Sequence, residues 1–503
     1  MRASGILMPI FSLPSDHGIG TLGKSAYDFV DFLSMSGQTY WQILPICPTG
    51  FGDSPYQSCS AYAGNPYFID LDMLRDDGLL EKSEYDSIVW CTDNYHVDYE
   101  KLYNNRFTVL KKAYQRFKNN IPEDYEIICK ECIPWLDSYA LFMAIKDAND
   151  GKPWYMWNEP LKMREPSALE KARQVFADEI GFYRFLNYKF SKQWFALKKY
   201  ANLKNVYIIG DMPIYVSYDS ADVWANPEQF KLNDDLTPTS VAGCPPDAFS
   251  DDGQLWGNPL YDWEYMKNKS PKYQWWRSRI AYCLDMYDMI RIDHFRAFES
   301  YYSIPYGSST AKDGEWIKGP GMDFFDCLKD GFGELPIIAE DLGIITDDVR
   351  QLLKDSGFPG MKVLQSAFDS KGNSSYLPHN HIKNCVLYTG THDNDTIIGW
   401  SRTQSDEDMK FAIEYMRVAE NESLNWAMIK TAFSSVADTV IIPIQDYMGL
   451  DSDSRINTPS KIGKNWQWRI DGGCINSWLA KIIYDNTVLY RRIPKLEKKF
   501  EKE

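Results

Sequence analysis

A (β/α)8 barrel, the TIM-barrel architecture of the α/β class, is the fold that this 503-residue sequence predicts. Three observations favour it. Eight short apolar segments recur along the chain, each of a length suited to one buried strand. Segments with helical periodicity separate most of them, and charged residues follow the strands where such barrels carry their functional groups. We therefore interpret residues 1–503 as a single barrel with inserted regions.

The eight predicted strands are apolar runs bounded by turn-forming or polar residues. Strands of a parallel sheet are covered on both faces, so continuous apolar runs are typical of them. The helical spacing of Phe29, Phe32 and Leu33 before Gly37 predicts a helix after the first strand. The runs comprise residues 5–11, 39–46, 206–212, 288–293, 336–341, 361–367, 385–391 and 439–445.

The connections between these strands are uneven in length. Residues 47–205 separate the second and third strands, far more than one helix needs, so we expect an inserted subdomain there. Residues 213–287 form a second long connection and contain the loop sequence GCPPDAFSDDGQLWGNPLY. We expect this second insertion to carry loops that contact the substrate.

The composition argues against several kinds of partner. A formal net charge of −16 and a pI near 5.0 disfavour nucleic-acid binding, which usually requires a basic surface. No apolar run approaches the ~18 residues of a membrane span, so no membrane partner is expected. The ten cysteines are scattered, which is typical of reduced thiols, and we predict a cytoplasmic protein. Aromatic residues make up 15% of the chain, more than a core usually takes, and flat rings suit the apolar faces of sugars.

The segment GIGTLGKS at residues 18–25 matches two nucleotide-binding patterns. Gly18, Gly20 and Gly23 fit G-x-G-x-x-G, and the final GKS fits the phosphate-binding loop. In both motifs a strand runs directly into the glycine turn, whereas here SLPSDH with its proline intervenes. The next strand also ends in ILPIC, without the acid that a ribose requires. A nucleotide hydrolase is therefore the least favoured alternative.

Charged side chains recur at the predicted carboxyl ends of successive strands, where functional residues of barrels lie. An isolated acid at such a position is more often a cap or a surface charge, but a series of them favours a shared site. The third to seventh strands end in, or are followed by, Asp211, Arg291 and Asp293, Glu340 and Asp341, Asp369, and His392 and Asp393.

Two neighbouring strands carry the residues that suggest a reaction. Arg291 and Asp293 are two residues apart, so strand alternation directs both into the barrel mouth, where the arginine keeps the aspartate ionised. Glu340 follows the apolar sequence PIIA, which favours the protonated form of a carboxyl group. One ionised and one protonated carboxyl suit glycoside chemistry, and a separation of about 5–5.5 Å would indicate retention of anomeric configuration. Asp393 is then a third carboxylate that binds sugar hydroxyls.

The histidines give only a weak indication of a metal site. His294, His379, His381 and His392 match no known ligand spacing. Carboxylate chemistry on sugars needs no metal, so we expect neither a metal nor any other cofactor.

Long motifs of the sequence resemble those of the 4-alpha-glucanotransferases, also called amylomaltases or disproportionating enzymes, which form glycoside hydrolase family 77 in the alpha-amylase clan. The opening motif LPSDHGIG also accounts for the false phosphate loop. The similar segments extend nearly from end to end and include SGILMPIFSLPSDHGIG, SPYQSCSAYAGNPYFIDL, GDMPIYVSYDSADVW, PPDAFSDDGQLWGNPLY, IRIDHFRAFESYYSIP, IAEDLG, FPGMKVLQSAFD, YTGTHDNDT and NTPSKIGKNWQWR.

The resemblance implies roles for individual residues. It implies Asp293 as the nucleophile, Glu340 as the acid/base and Asp393, in preference to its neighbour Asp395, as the transition-state stabiliser. Asp211 and Asp369 are added as substrate-binding residues from their positions at strand ends. The other substrate-binding residues that the resemblance implies are Arg291, His392, Tyr56, Asp247, Phe249, Gln254, Trp256, Asn465 and Trp466.

The implied reaction transfers a segment of an alpha-1,4-glucan to the 4-hydroxyl of glucose or of another glucan, by a retaining double displacement. Maltooligosaccharides and alpha-1,4-glucans are the expected partners, with glucose as an acceptor. Two alternatives stay open: a hydrolase of the amylase clan, in which water is the acceptor, and a non-catalytic glucan-binding protein. The presence of all three carboxylates disfavours the second.

Overall fold

The computed structural model describes residues 2–132, 135–246, 250–461 and 463–493, apart from the side chains of Phe51, Glu131 and Cys132. Twelve strands occur in these ranges. They are β1 (Ala3–Leu7), β2 (Tyr40–Gln42), β3 (Tyr207–Met212), β4 (Ser240–Cys244), β5 (Gln254–Pro259), β6 (Met289–Ile292), β7 (Ser300–Pro305), β8 (Glu315–Lys318), β9 (Ile337–Ala339), β10 (Gly360–Val363), β11 (Cys385–Tyr388) and β12 (Thr439–Pro443).

Eight parallel strands close into a barrel in the order β1-β12-β11-β10-β9-β6-β3-β2. Each corresponds to one of the eight apolar runs, so the predicted (β/α)8 barrel is confirmed. All eight strands are shorter than the predicted runs, and two of them show why. β1 ends at Leu7, because Pro9 has no backbone N–H to donate to a sheet, and β10 ends where the 3-10 turn Leu364–Ser366 begins.

Helices surround the barrel, and Phe29, Phe32 and Leu33 are buried on the first of them, as their spacing predicts. The described residues contain α1 (Lys24–Met35), α2 (Leu71–Asp76), α3 (Tyr99–Phe117), α4 (Tyr125–Ile127), α5 (Leu136–Ala148), α6 (Glu159–Lys162), α7 (Pro166–Val175), α8 (Ala177–Leu203), α9 (Ala221–Ala225), α10 (Trp263–Asn268), α11 (Gln274–Met286), α12 (Met322–Phe332), α13 (Asp347–Ser356), α14 (Ile397–Ser401), α15 (Asp406–Met416), α16 (Leu424–Ser434), α17 (Ile444–Met448) and α18 (Ser477–Leu489).

Apolar side chains fill the lumen of the barrel. Successive strand residues alternate in direction, and the inward set continues towards the mouth with Asp211 on β3 and Arg291 on β6, each two residues beyond an apolar one. The apolar core of the lumen thereby sets the direction of the charged side chains above it. The buried lumen cluster contains Leu7, Ile209, Ile338, Met361, Val363, Val386, Tyr388 and Ile441.

The long connection from β2 to β3 is mostly helical. It contains α2 to α8, and α5 packs against α8, which leads back into β3. Buried side chains of this region, such as Leu71, Phe142 and Trp194, belong to the same apolar cluster as the side chains that pack between the barrel strands and the surrounding helices. The treatment of residues 47–205 as a separate subdomain stays a prediction.

The connection after β3 forms half of an antiparallel sheet with the order β5-β4-β7-β8. The other two strands of this sheet, β7 and β8, follow β6 in the chain. Their part in the sheet was not predicted, because only the connection 213–287 was long enough to indicate an insertion. The sheet carries Gln254 and Trp256 on β5 to the side of the barrel mouth. The assignment of 213–287 as a substrate-loop insertion stays a prediction.

The segment GIGTLGKS lacks the context of a phosphate-binding loop. β1 ends at Leu7 and α1 begins at Lys24, so no strand runs directly into the glycine turn. A Cβ on Gly20 would lie 1.9 Å from the Ile10 carbonyl oxygen, and one on Gly23 would lie 2.0 Å from Asp70 Oδ2. These glycines allow close packing of the chain on itself, which explains the pattern without a ligand.

The sequence predicts no membrane partner and reduced cysteine thiols. Throughout the described part of the chain, no helix is long and apolar enough to cross a membrane. No disulfide joins the cysteines whose side chains are described.

Candidate active site

Three charged side chains at the ends of β3 and β6 form a network in the barrel mouth. Arg291 Nη1 donates to both carboxylate oxygens of Asp211, at 2.8 and 2.9 Å, and to Asp293 Oδ1 at 2.9 Å. The side chain of Arg291 is 4% exposed and that of Asp211 is 0% exposed, whereas that of Asp293 is 30% exposed. Asp293 is therefore the member of this network that is open to the mouth.

Glu340 follows β9, the strand next to β6, and its environment differs. Its two carboxyl oxygens accept hydrogen bonds from the backbone N–H groups of His294, at 2.7 Å, and Leu342, at 2.8 Å. Burial raises the pKa of Glu340 to about 8; Arg291 opposes this shift and Asp293 adds to it. The protonated form that the sequence PIIA suggested is thus favoured at neutral pH.

Asp393 lies after β11, on a loop that also carries His392. His392 Nε2 is 3.4 Å from Asp393 Oδ1, and Asn457 Nδ2 donates to the same oxygen at 2.6 Å. Arg455 Nη2 donates to the backbone carbonyl of Asp393 at 2.5 Å. Since the Asp393 side chain is still 46% exposed, its carboxylate is held on one side and open on the other.

Two other acids near these strand ends serve the fold. Asp395 accepts hydrogen bonds from Ser452 Oγ at 2.8 Å and from the Thr396 backbone at 2.7 Å, so its carboxylate fixes a loop. Asp341 is buried, and its Oδ1 accepts from the Met361 backbone at 2.6 Å. The hydrogen bonds of Asp395 favour Asp393 as the carboxylate available to a ligand. Glu340 is favoured over Asp341 because it is only partly buried, whereas Asp341 is buried.

Aromatic rings form one wall of the mouth. Tyr56 Oη donates to Asp211 Oδ2 at 2.9 Å, and its ring stacks on His392 with 5.2 Å between centroids and 17° between planes. Trp466 contacts both rings, at centroid distances of 5.7 and 5.9 Å. Asn465 accepts from the Thr458 backbone at 3.0 Å and donates to the Lys461 carbonyl at 2.8 Å, so it shapes the loop that presents Trp466.

A second wall comes from β5 and the segment after β6. Trp256 Nε1 donates to Gln254 Oε1 at 3.1 Å, and its ring meets His294 edge to face at 4.9 Å. His294 directly follows Asp293 and adopts a left-handed backbone with φ 54°. Burial lowers the pKa of His294 to about 4, so this imidazole is neutral at neutral pH.

One predicted substrate residue, Asp369, makes its contact elsewhere. Asp369 is exposed, and its Oδ1 accepts from the Lys371 backbone at 2.9 Å, so it caps its own turn. Asp247 and Phe249 lie outside the described residues. Their predicted roles in substrate binding stay untested.

Two residues that contact Asp393 were missed in the sequence. Asn457 and Arg455 belong to the segment RINTP, and Arg455 Nε also donates to the Asn457 carbonyl at 2.7 Å. The Asn457 backbone N–H donates to the His392 carbonyl at 3.1 Å, so the two loops are joined at backbone and side chain. NTPSKIGKNWQWR contains both Asn457 and Asn465, and only tertiary contact distinguishes them.

The mouth therefore combines an open aspartate, a carboxyl group with a raised pKa and a third carboxylate, between aromatic walls. This arrangement can supply a proton and an attacking carboxylate from adjacent strands. In the described ranges, no group of three or more His, Cys, Asp and Glu residues is placed to hold a metal ion.

Comparison with known proteins gives consistent matches over nearly the whole chain. A family model described as 4-alpha-glucanotransferase matches residues 8–475. The 4-alpha-glucanotransferase of Clostridium butyricum is 48% identical over 487 residues, which cover 96% of this chain and 100% of that protein. The 4-alpha-glucanotransferase of Thermus thermophilus is 44% identical over 480 residues, which cover 93% and 95%.

A solved structure extends the comparison to three dimensions. An amylomaltase from Streptococcus agalactiae in complex with acarbose matches with a TM-score of 0.95 and 44% sequence identity. The match covers 98% of this chain and 100% of that chain.

Proposed function

This chain belongs to the 4-alpha-glucanotransferase family, and from that premise we propose how its barrel mouth performs glucan transfer. The proposal assigns Asp293 as the nucleophile, Glu340 as the acid/base and Asp393 as the stabilising carboxylate. One observation carries it: adjacent strands present one carboxylate paired with an arginine and one carboxyl group whose pKa burial raises to about 8.

In the first step an alpha-1,4-glucan lies across the mouth. Glu340 donates its proton to the glycosidic oxygen while Asp293 attacks the anomeric carbon, so the C–O bond breaks and a covalent glucosyl–Asp293 ester forms. The shortened chain leaves with the proton as a free 4-hydroxyl. Glu340 is then an anion, close to Arg291, ready to accept a proton.

In the second step a sugar takes the place of the departed chain. Glu340 removes the proton from the 4-hydroxyl of glucose or of another glucan, and that oxygen attacks the anomeric carbon. The ester to Asp293 breaks and a new alpha-1,4 bond forms. Two inversions at the same carbon retain the anomeric configuration.

The other mouth residues support these steps. Asp393 is held by Asn457 with one side open, a position from which it can bind hydroxyls of the distorted sugar. Tyr56 and Trp466 offer flat faces to apolar sugar surfaces. Arg291, fixed by buried Asp211, holds Asp293 in the orientation for attack.

Water is the competing acceptor, and its exclusion separates a transferase from a hydrolase. The Trp256 ring contacts His294, which directly follows Asp293 in the chain, so it lies beside the proposed nucleophile. We propose that this wall favours a sugar acceptor, with glucose as the smallest. We also propose that the protein acts in the cytoplasm.

The test is incubation of the purified protein with maltotriose, without added metal or cofactor, and separation of the products by chain length. We expect glucose together with maltopentaose and longer chains. Asp293→Asn, run in parallel, is expected to yield none of them.

Other results would contradict parts of the proposal. Glucose and maltose alone would make water the acceptor and the protein a hydrolase. No products from maltotriose or from longer donors would leave a non-catalytic glucan-binding protein. Equal activity of Asp293→Asn would remove that residue from the mechanism.

A further inference from the structure

A second concave site lies away from the carboxyl groups of the mouth. It is a groove with a volume of about 660 Å³ between α5 of the helical insertion, the α9 segment, and α10 and α11. Its volume lies within the range of about 300–1,000 Å³ that is typical of small-molecule sites. None of the three proposed catalytic residues lines it.

Aromatic rings form a fixed wall of this groove. Tyr62 and Trp135 stack with 5.5 Å between centroids and 23° between planes, and Tyr282 packs against both at 5.3 and 5.7 Å. Tyr282 Oη donates to the Tyr62 carbonyl at 2.6 Å, which ties the wall to α11. Tyr265 contributes a further ring from α10. Rings held in this way suit stacking with the apolar faces of pyranoses.

The groove also presents groups that bind hydroxyls. Hydroxyl and amide side chains line it, including those of Ser138, Asn226, Gln229 and Ser278.

The charges of the groove argue against an anionic ligand. Asp222, Glu228 and Asp285 line it together with a single lysine, Lys269. Phosphates and nucleic acids would meet net negative charge there, whereas a neutral polyhydroxylated ligand would not. Aromatic rings with neutral polar groups are the chemistry of a carbohydrate site.

The groove and the mouth are linked through residues that line a small cavity between them. Ser60, Tyr62 and Tyr282 line both the groove and this cavity of about 40 Å³, which Tyr56 and Asp211 also line. A polymer held in the groove would therefore keep its remaining length close to the catalytic groups.

We propose that this groove binds a segment of an alpha-1,4-glucan, as a second glucan site that retains long substrates near the mouth. The inference rests on the proposed function, because that function supplies the glucan as ligand. Retention raises the effective concentration of chain ends at the mouth, so it favours long glucans over oligosaccharides too short to reach both sites.

The first test counts binding sites for maltoheptaose in the Glu340→Gln background, which prevents turnover, by titration calorimetry. We expect two sites per chain, and one after Ser278→Trp, since Ser278 is an exposed groove residue on α11 where a large ring fills the space. Ser434→Trp, at an exposed serine that ends α16, is the matched control and should retain two sites. One site in all three proteins would overturn the proposal.

The second test uses kinetics of the otherwise wild-type enzyme. Ser278→Trp and Tyr265→Ala are each expected to raise KM for amylose about fivefold relative to KM for maltotriose. Trp478→Ala, which removes a ring that is 71% exposed on α18, is the control for the loss of an aromatic. Equal changes on both substrates would reject the groove while leaving the transferase intact; no transfer from maltotriose by the wild type would reject the proposed function instead.

Discussion

The ends of β6 and β9 hold similar carboxyl groups in opposite settings. Asp293 after β6 shares the guanidinium of a buried arginine, which is itself anchored by Asp211. Glu340 after β9 has two backbone N–H donors and no ion pair among the described residues. Burial therefore raises the pKa of Glu340 to about 8. Two adjacent strands of one sheet thus place a carboxylate that contacts an arginine beside a carboxyl group with a raised pKa, and these are the proposed nucleophile and proton donor.

The contrast shows that the sheet supplies proximity and the neighbouring side chains supply chemistry. β6 and β9 pair in parallel, with Ile292 opposite Ala339, so the next inward residues of both strands reach the same level of the mouth. The two carboxyl groups differ because β3, which pairs with β6, carries Asp211. Asp211 fixes the arginine that contacts Asp293. Substitutions that alter one carboxyl group or its neighbours at a time test this contrast.

The largest effect is expected from the two carboxyl groups themselves. Asp293→Asn and Glu340→Gln should each lower transfer from maltotriose by about 10⁴-fold or more. A maltoside with a nitrophenolate leaving group needs no protonation, so Glu340→Gln should recover at least about 10²-fold in the nitrophenol burst, and Asp293→Asn should recover nothing. Equal recovery in both variants would show that the roles are wrongly assigned.

The next largest effect is expected from replacing Arg291, which contacts both Asp211 and Asp293. Arg291→Met leaves Asp211 buried without its partner, and we expect a loss of about 3–5 kcal/mol in the free energy of unfolding, measured by urea denaturation. Adding Asp211→Asn removes the buried charge and should restore part of that stability. If the double variant is no more stable than the single one, the ion pair is not the source of the loss.

Removal of the group that holds the third carboxylate should have a smaller effect. Asn457→Ala takes away the donor to Asp393 Oδ1, and we expect a loss of about tenfold in kcat with little change in KM for maltotriose, because the carboxylate is displaced but present. Asp393→Asn should cost about 10² to 10³-fold. A larger loss for Asn457→Ala than for Asp393→Asn would contradict a positioning role.

The pH dependence provides the mildest test. The folded-state pKa of Glu340, about 8, lies above its ordinary value of 4.5. The folded protein therefore holds this proton more tightly, and the stability gained is fully present below about pH 4.5 and lost as the pH rises to about 8. The wild type should lose up to about 1.4 kcal/mol per pH unit in that window relative to Glu340→Gln.

The same group predicts the activity profile. The acid must be protonated in the free enzyme, so kcat/KM should fall about tenfold per unit above pH 8. The profile is measured with maltotriose from pH 5 to 10. A fall that begins near pH 5 would show that the surroundings do not raise the pKa of Glu340.

The barrel strands were predicted from the sequence more successfully than the loops that follow them. All eight barrel strands were predicted, because continuous apolar runs are a local signal of buried strands. The direction of Arg291 followed from alternation with its apolar neighbours. Asp369 shows the limit of that reasoning: it also follows a strand, yet its carboxylate caps its own turn.

Loop residues required the tertiary structure. Asn457 and Asn465 are eight positions apart in one motif, and either could have faced the site. Asn457 contacts Asp393, whereas Asn465 holds the turn from Thr458 to Lys461. β7 and β8 were missed because their pairing with β4 and β5 joins segments from two different connections.

The sequence by itself determined the barrel and which strands carry the acids, since both depend on periodicity and order along the chain. Only the tertiary structure decided which acid is paired, which is buried and which caps a turn. Those states depend on groups brought from other strands and loops, such as Asp211 beside Arg291 and Asn457 beside Asp393. Charge and burial act through space over a few ångströms, and separation along the chain does not measure that distance.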